Sequence, residues 1–318
     1  MRWRQFAVAA AALCMAQAAA DAPMRTDDIT PRTAIRSVIA APEFAPWGRL
    51  LFPLHSGYYD GATLGDMRLA WYSHINPAKT VEIVRYFLGR VRAGEAVFFD
   101  LYGEDEQRAD PVKRDTGLFF FRGRAGAKAA IVSAGGGFAY VGAMHDSFPH
   151  ALELSKRGYN AFALIYRPGA RAASEDLARA IAFLHQRAAE LGIDPAGYSL
   201  WGGSAGARMA AWLGSHGTER FGEKAYPRPA AVIMQYTGFA EVTGREPPTY
   251  SCVGTADSIA DWRVMERRTK AIRAGGTDAE IEVFAGLPHG FGLGEGTAAA
   301  GWLERAVTFW ERQQAGKK

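Results

Sequence analysis

Three residues far apart in the chain have the types and settings needed for attack on a carbonyl carbon. Ser204 stands in Gly202-Gly203-Ser204-Ala205-Gly206, between a run that reads as strand and one that reads as helix. Asp257 closes Gly254-Thr255-Ala256-Asp257 after the apolar run 250–253. His289 sits in Gly286-Leu287-Pro288-His289-Gly290 after the run 279–284. A serine hydroxyl is a poor nucleophile alone; it needs a base, and the base needs a group to orient it. His289 suits the base, and Asp257 suits the group that holds its tautomer and stabilises its cation. The pattern G-x-S-x-G puts the serine on a sharp, strained strand-to-helix turn. Residues two positions to either side must then be small, as Gly202 and Gly206 are.

The same chemistry builds negative charge on a carbonyl oxygen, which needs fixed hydrogen-bond donors. The run 133–140, SAGGGFAY, places three glycines just after a predicted strand, where backbone N–H groups approach a substrate unobstructed. Gly136 and Gly137, with the N–H of Ala205 at the start of the next helix, are the expected oxyanion hole. Phe138 and Tyr236 lie near predicted strand ends and are expected to touch substrate, with core packing as the alternative; His145, after the glycine-rich loop, is expected to line the pocket.

Other readings of these residues carry less. Asp261 competes with Asp257 for the orienting role but reads as the N-cap of a helix starting at Trp262. Of the 7 histidines, His289 is the one that follows the last predicted strand; His150 belongs to a helix. The run 135–142, GGGFAYVG, lacks both the spacing and the later acid of a dinucleotide fingerprint. No cluster of His, Cys, Asp and Glu has metal-ligand spacing, so neither metal nor other cofactor is expected. Cys252, inside a strand, reads as a buried small hydrophobe.

The elements that must hold these residues follow from periodicity. Strands are predicted over 96–102, 117–121, 129–133, 160–166, 198–201, 230–236, 250–253 and 279–284. Helices are predicted over 80–91, 174–191 with Ser174 as N-cap, 205–214, 262–273 and 297–313. Apolar strands alternating with helices imply an α/β fold with a mostly parallel central sheet covered on both faces. Ligands bind beyond the carboxyl ends of such strands, where Ser204, Asp257 and His289 fall.

Before this alternating part, residues 21–94 read as an N-terminal extension: a Pro-rich extended lead-in to Gly48, then the helix at 80–91. Residues 1–20 have the layout of a secretory signal, with Arg2 and Arg4, an apolar run too short to span a bilayer, and small residues at the candidate cleavage sites. The expectation is an exported protein, periplasmic or extracellular, without a lipid or membrane anchor. Loss of that segment takes the net charge from +4 to +2, too little to imply nucleic acid as a partner. Cys14 leaves with it, so the mature chain has no internal disulfide.

On SAGGGF, GGSAG, VGTAD and PHGFG, in that order and on those elements, the chain from about Glu95 onward resembles the α/β-hydrolases. It looks close to the small esterases with a glycine-rich oxyanion loop and to related peptidase-like hydrolases. Many of those have histidine just before the glycines, where this chain has Ala134. The resemblance implies acyl transfer to water through a Ser204 acyl-enzyme, with a small-molecule ester as substrate and no cofactor. A serine peptidase of the same fold and a non-catalytic binding protein are the rival readings. The oligomeric state does not follow from the sequence.

Overall fold

The computed structural model describes residues 24–54 and 56–315, so the segment read as a secretory signal lies outside the described residues. An eight-stranded sheet organises them. In chain order its strands are β1 (Phe98–Phe99), β2 (Gly117–Phe121), β3 (Lys128–Ser133), β4 (Asn160–Ile165), β5 (Asp194–Gly203), β6 (Ala231–Gln235), β7 (Thr249–Gly254) and β8 (Ala279–Phe284). Their spatial order is β1-β2-β4-β3-β5-β6-β7-β8. The β1–β2 and β2–β4 pairs are antiparallel, and every later pair is parallel. In β2, β4, β6 and β7 every residue is buried. That is why these strands read as continuous apolar runs rather than alternating ones: helices cover both faces.

On one face lie α1 (Pro77–Arg92), α2 (Phe148–Lys156) and α6 (Trp302–Ala315), joined by contacts such as His150 against Trp302. On the other, α3 (Ala170–Gln186) packs on α4 (Ala205–His216), and α5 (Trp262–Ala274) covers β7 and β8. Asp261 caps α5, its carboxylate accepting from the Arg263 N–H at 3.0 Å, as expected for a short acid before a helix.

Three local expectations need correction. Residues 96–102 form only the two-residue β1, because the edge of the sheet pairs no further. Ser174 is not an N-cap: α3 starts four residues earlier, and the Ser174 hydroxyl donates back to the Ala170 carbonyl. The lead-in to Gly48 is not extended. It folds into short helical turns that bury Ile29, Ile35, Val38, Phe44 and Trp47.

Residues 24–94 share the core of the sheet. The Trp47 ring lies 5.4 Å from Phe119 on β2 and 6.0 Å from Phe87 on α1, and Phe87 meets Phe148 on α2. A segment that contributes this many buried aromatics is stabilised by the same apolar burial as the sheet itself.

Candidate active site

Ser204 occupies the turn between β5 and α4 with φ 50° and ψ −112°. A non-glycine residue rarely holds such a backbone, and here it is locked from both sides. The Ser204 N–H donates to the Gln235 carbonyl on β6, and α4 starts at the next residue. Beyond β7, the Asp257 carboxylate is fixed through Oδ1 by the N–H groups of Ile259 and Ala260, at 2.8 and 2.7 Å. Its Oδ2 lies 2.7 Å from His289 Nδ1. A carboxylate only accepts, so Nδ1 carries the hydrogen and Nε2 is left as the acceptor. Ser204 Oγ lies 3.2 Å from that Nε2. Three residues on three loops thus form one unbroken relay.

Gly136 and Gly137 adopt φ 126° and 63°, and a Cβ on Gly136 would stand 2.2 Å from the Tyr140 carbonyl oxygen. Only glycine fits that turn. Among the described residues none accepts a hydrogen bond from the N–H groups of Gly136, Gly137 or Ala205. Gly136 and Gly137 line the same cleft as Ser204, and Ala205 is the first residue of α4. That cleft holds about 390 Å³ and is completed by Trp71, Tyr72, Ile259 and His289. Among the described residues, no three His, Cys, Asp or Glu side chains gather where a metal ion could sit, and no helix is long and apolar enough to cross a membrane.

Three expected substrate contacts are placed elsewhere. Tyr236 is fully buried: its ring packs on His289 at 4.9 Å and its hydroxyl donates to Asp146. It backs the histidine rather than facing the cleft. His145 is turned away, its Nε2–H donating to the Gly290 carbonyl at 2.9 Å. Phe138 is half-buried, stacks on Trp212 at 6.2 Å and is not part of the cleft wall. In each case the side chain points toward packing partners.

The cleft wall that sequence reasoning missed comes from residues 70–73. The Ser73 N–H donates to the Gly290 carbonyl, and its hydroxyl to the His289 carbonyl at 2.8 Å. Trp71, nearly half exposed, overlies Gly137. The one available signal was the adjacent pair Trp71-Tyr72 in a stretch with neither helical nor strand periodicity.

His150 on α2 is buried against Trp302, and its ring nitrogens have no partner among the described residues. Burial pushes its imidazole down to about 3, and pushes His145 down to about 4. An unfolded histidine takes up its proton near pH 6.5, so both stay neutral in the fold where the open chain is charged. Their contribution to stability is complete above pH 6.5 and is lost as pH falls below it. His150→Phe keeps the ring and removes the titration. Between pH 7 and 5 its loss of stability is expected to be smaller than wild type's by about 2 kcal/mol, or roughly 4 °C in Tm. Thermal unfolding at both pH values checks this; parallel curves for the two proteins would refute it.

Comparison with known proteins bears on the fold. Residues 123–257 match the family model BD-FAE. The chain is similar in structure to Thermogutta terrifontis esterase 2, with a TM-score of 0.56 and 24% identity over 62% of this chain and 89% of that one. It is similar also to an acetyl ester-xyloside bifunctional hydrolase from Caldicellulosiruptor lactoaceticus, with a TM-score of 0.59 and 21% identity over 68% and 95%. None of the curated protein sequences compared with the chain matches it. The strand order and these structural likenesses define the fold: the chain has the α/β-hydrolase fold.

Proposed function

We propose that the protein hydrolyses carboxylic esters of small or carbohydrate-linked acyl groups, with Ser204 as nucleophile, His289 as base and Asp257 as its orienting partner. The observation that carries this reading is the relay of 2.7 and 3.2 Å from Asp257 through His289 to Ser204, opening on the cleft. Ser204 Oγ bonds to the ester carbonyl carbon as its proton passes to His289 Nε2. The carbonyl electron pair moves onto oxygen, where the N–H groups of Gly136, Gly137 and Ala205 receive it. Collapse of the adduct expels the alkoxide, which takes the proton from Nε2, and the acyl group stays on Oγ. Water then attacks with His289 again as base. The acid departs, and the returned proton restores Ser204.

Small acyl groups are favoured by the modest cleft and by the relatives. The Thermogutta enzyme is known with propionate bound and phosphorylated by paraoxon, and the Caldicellulosiruptor enzyme is an acetyl ester-xyloside bifunctional hydrolase. Residues 1–20 carry the layout of an export signal, so the substrate is read as lying outside the cytoplasm. N-terminal sequencing of protein recovered from the periplasm or medium tests that; a product retaining Met1 would overturn it.

The test of the activity is release of p-nitrophenol from p-nitrophenyl esters, acetyl to decanoyl. Rates should be highest for the short acyl groups and absent in Ser204→Ala. Cleavage of p-nitroanilides without cleavage of esters would redirect the reading to a peptidase.

A further inference from the structure

The relay leaves one buried ionisable group in the site without a task. Asp146 is 1% exposed and lies at the end of a short helical turn that follows the glycine-rich loop. Its carboxylate takes three donors from three different parts of the site. Oδ2 accepts the Gly135 N–H at 2.6 Å and the Tyr72 hydroxyl at 2.9 Å; Oδ1 accepts the Tyr236 hydroxyl. Gly135 immediately precedes the two glycines with free N–H groups. Tyr72 belongs to the cleft wall supplied by the N-terminal segment, and Tyr236 backs His289.

The residue before the serine fits the same picture. A Cβ on Gly203 would stand 2.3 Å from Asp146 Oδ2, so the carboxylate fills the space a side chain there would need. A Cβ on Gly135 would lie 2.9 Å from the Ser204 Cβ. The carboxylate therefore sits between the loop that offers the N–H donors and the turn that carries the nucleophile. Ala134, before the glycines, offers no side-chain hydrogen bond; the backbone there is held instead by the Tyr166 hydroxyl on the Ala134 carbonyl at 2.8 Å.

We propose that Asp146 is a positioning residue that sets the distance between the oxyanion donors and Ser204, through its bond to Gly135 and its seat against Gly203. The inference rests on the esterase reading above. The ionisable groups around the carboxylate are Tyr72, Tyr140, Tyr166, Tyr236, Cys252 and His289. Burial pushes the Asp146 carboxyl up to about 6, against the three hydrogen bonds that lower it, so above neutrality it is ionised and accepts all three.

The test compares kcat, KM and Tm of wild type, Ser204→Ala, Asp146→Ala and Asp146→Asn on p-nitrophenyl acetate. Asparagine keeps one acceptor oxygen where Oδ2 stands, so it still receives Gly135 and Tyr72, while the Tyr236 hydroxyl turns to accept. Asp146→Ala should lower kcat by about 10²-fold, the scale of one misplaced oxyanion donor, with KM within about threefold. Asp146→Asn should recover kcat to within about tenfold of wild type. Three results would overturn the proposal: kcat of Asp146→Ala within threefold of wild type, a rise in KM alone, or a loss that asparagine does not recover. If Asp146→Ala does not fold, Gly203→Ala displaces the carboxylate by crowding. It should cost at least tenfold in kcat at steady KM, and wild-type kcat there would also overturn the proposal. Wild type no faster than Ser204→Ala would instead remove the esterase reading, and this inference with it.

Discussion

Ser204→Ala is expected to lower kcat/KM for p-nitrophenyl acetate on the order of 10⁵-fold while leaving Tm unchanged or slightly raised. The loss is large because the whole relay serves one atom. His289 Nε2 has Ser204 Oγ as its partner at 3.2 Å, and Asp257 reaches the reaction only through Nδ1 at 2.7 Å. Without the hydroxyl neither can act, so His289→Ala added to Ser204→Ala should cost nothing further. The fold loses little, since alanine fits where serine stood and inherits the same strained backbone. Asp257→Asn separates orientation from mere presence. The amide would donate to Nδ1, force the hydrogen onto Nε2 and leave no acceptor for Ser204. A drop on the order of 10³- to 10⁴-fold is expected with the fold intact. Residual activity above about 1% in purified Ser204→Ala, after exclusion of wild-type contamination, would remove Ser204 from the nucleophile role.

That these three residues could be read from sequence has a physical cause. Each stands within a few residues of a strand end, and a parallel sheet brings its carboxyl ends to one edge whatever the strand order. Gly202 and Gly206 reinforced the reading because the serine turn requires them locally. The spatial order of the strands was not legible, since it depends on which crossovers pack, and short-range periodicity does not record that.

The cleft wall failed for a related reason. Ser73 meets His289 across 216 residues, and Tyr72 meets Asp146 across 74, from a stretch with no regular element. Such contacts leave no trace in local periodicity. Tyr236 and His145 show the complementary limit. Sequence put them beside the site, but the direction of a side chain is set by its partners, here Asp146 with the His289 ring and the Gly290 carbonyl. Asp146 itself had a local trace: it is the one acid in the run 141–148, whose burial requires paired donors.

Gly206→Ala should damage both stability and activity. The added Cβ would stand 2.0 Å from the Ser133 carbonyl oxygen and 2.7 Å from that of Ala134. Both are backbone atoms at the end of β3, so no side-chain rotation relieves the contact. Either α4 rides away from the sheet or β3 bends. Overpacking of this kind costs about 1–3 kcal/mol, which for a chain of this size is a fall in Tm of roughly 2–6 °C. Activity should fall further than stability implies. The first turn of α4 carries the Ala205 N–H, and the displaced β3 end leads into Gly135–Gly137, so both sides of the oxyanion site move apart from Ser204. A loss of at least 10²-fold in kcat is expected in protein that remains folded at the assay temperature. Unfolding and kinetics measured on one preparation separate the two effects. An unchanged Tm with kcat within twofold of wild type would mean that α4 and β3 are not held as closely as the serine turn demands.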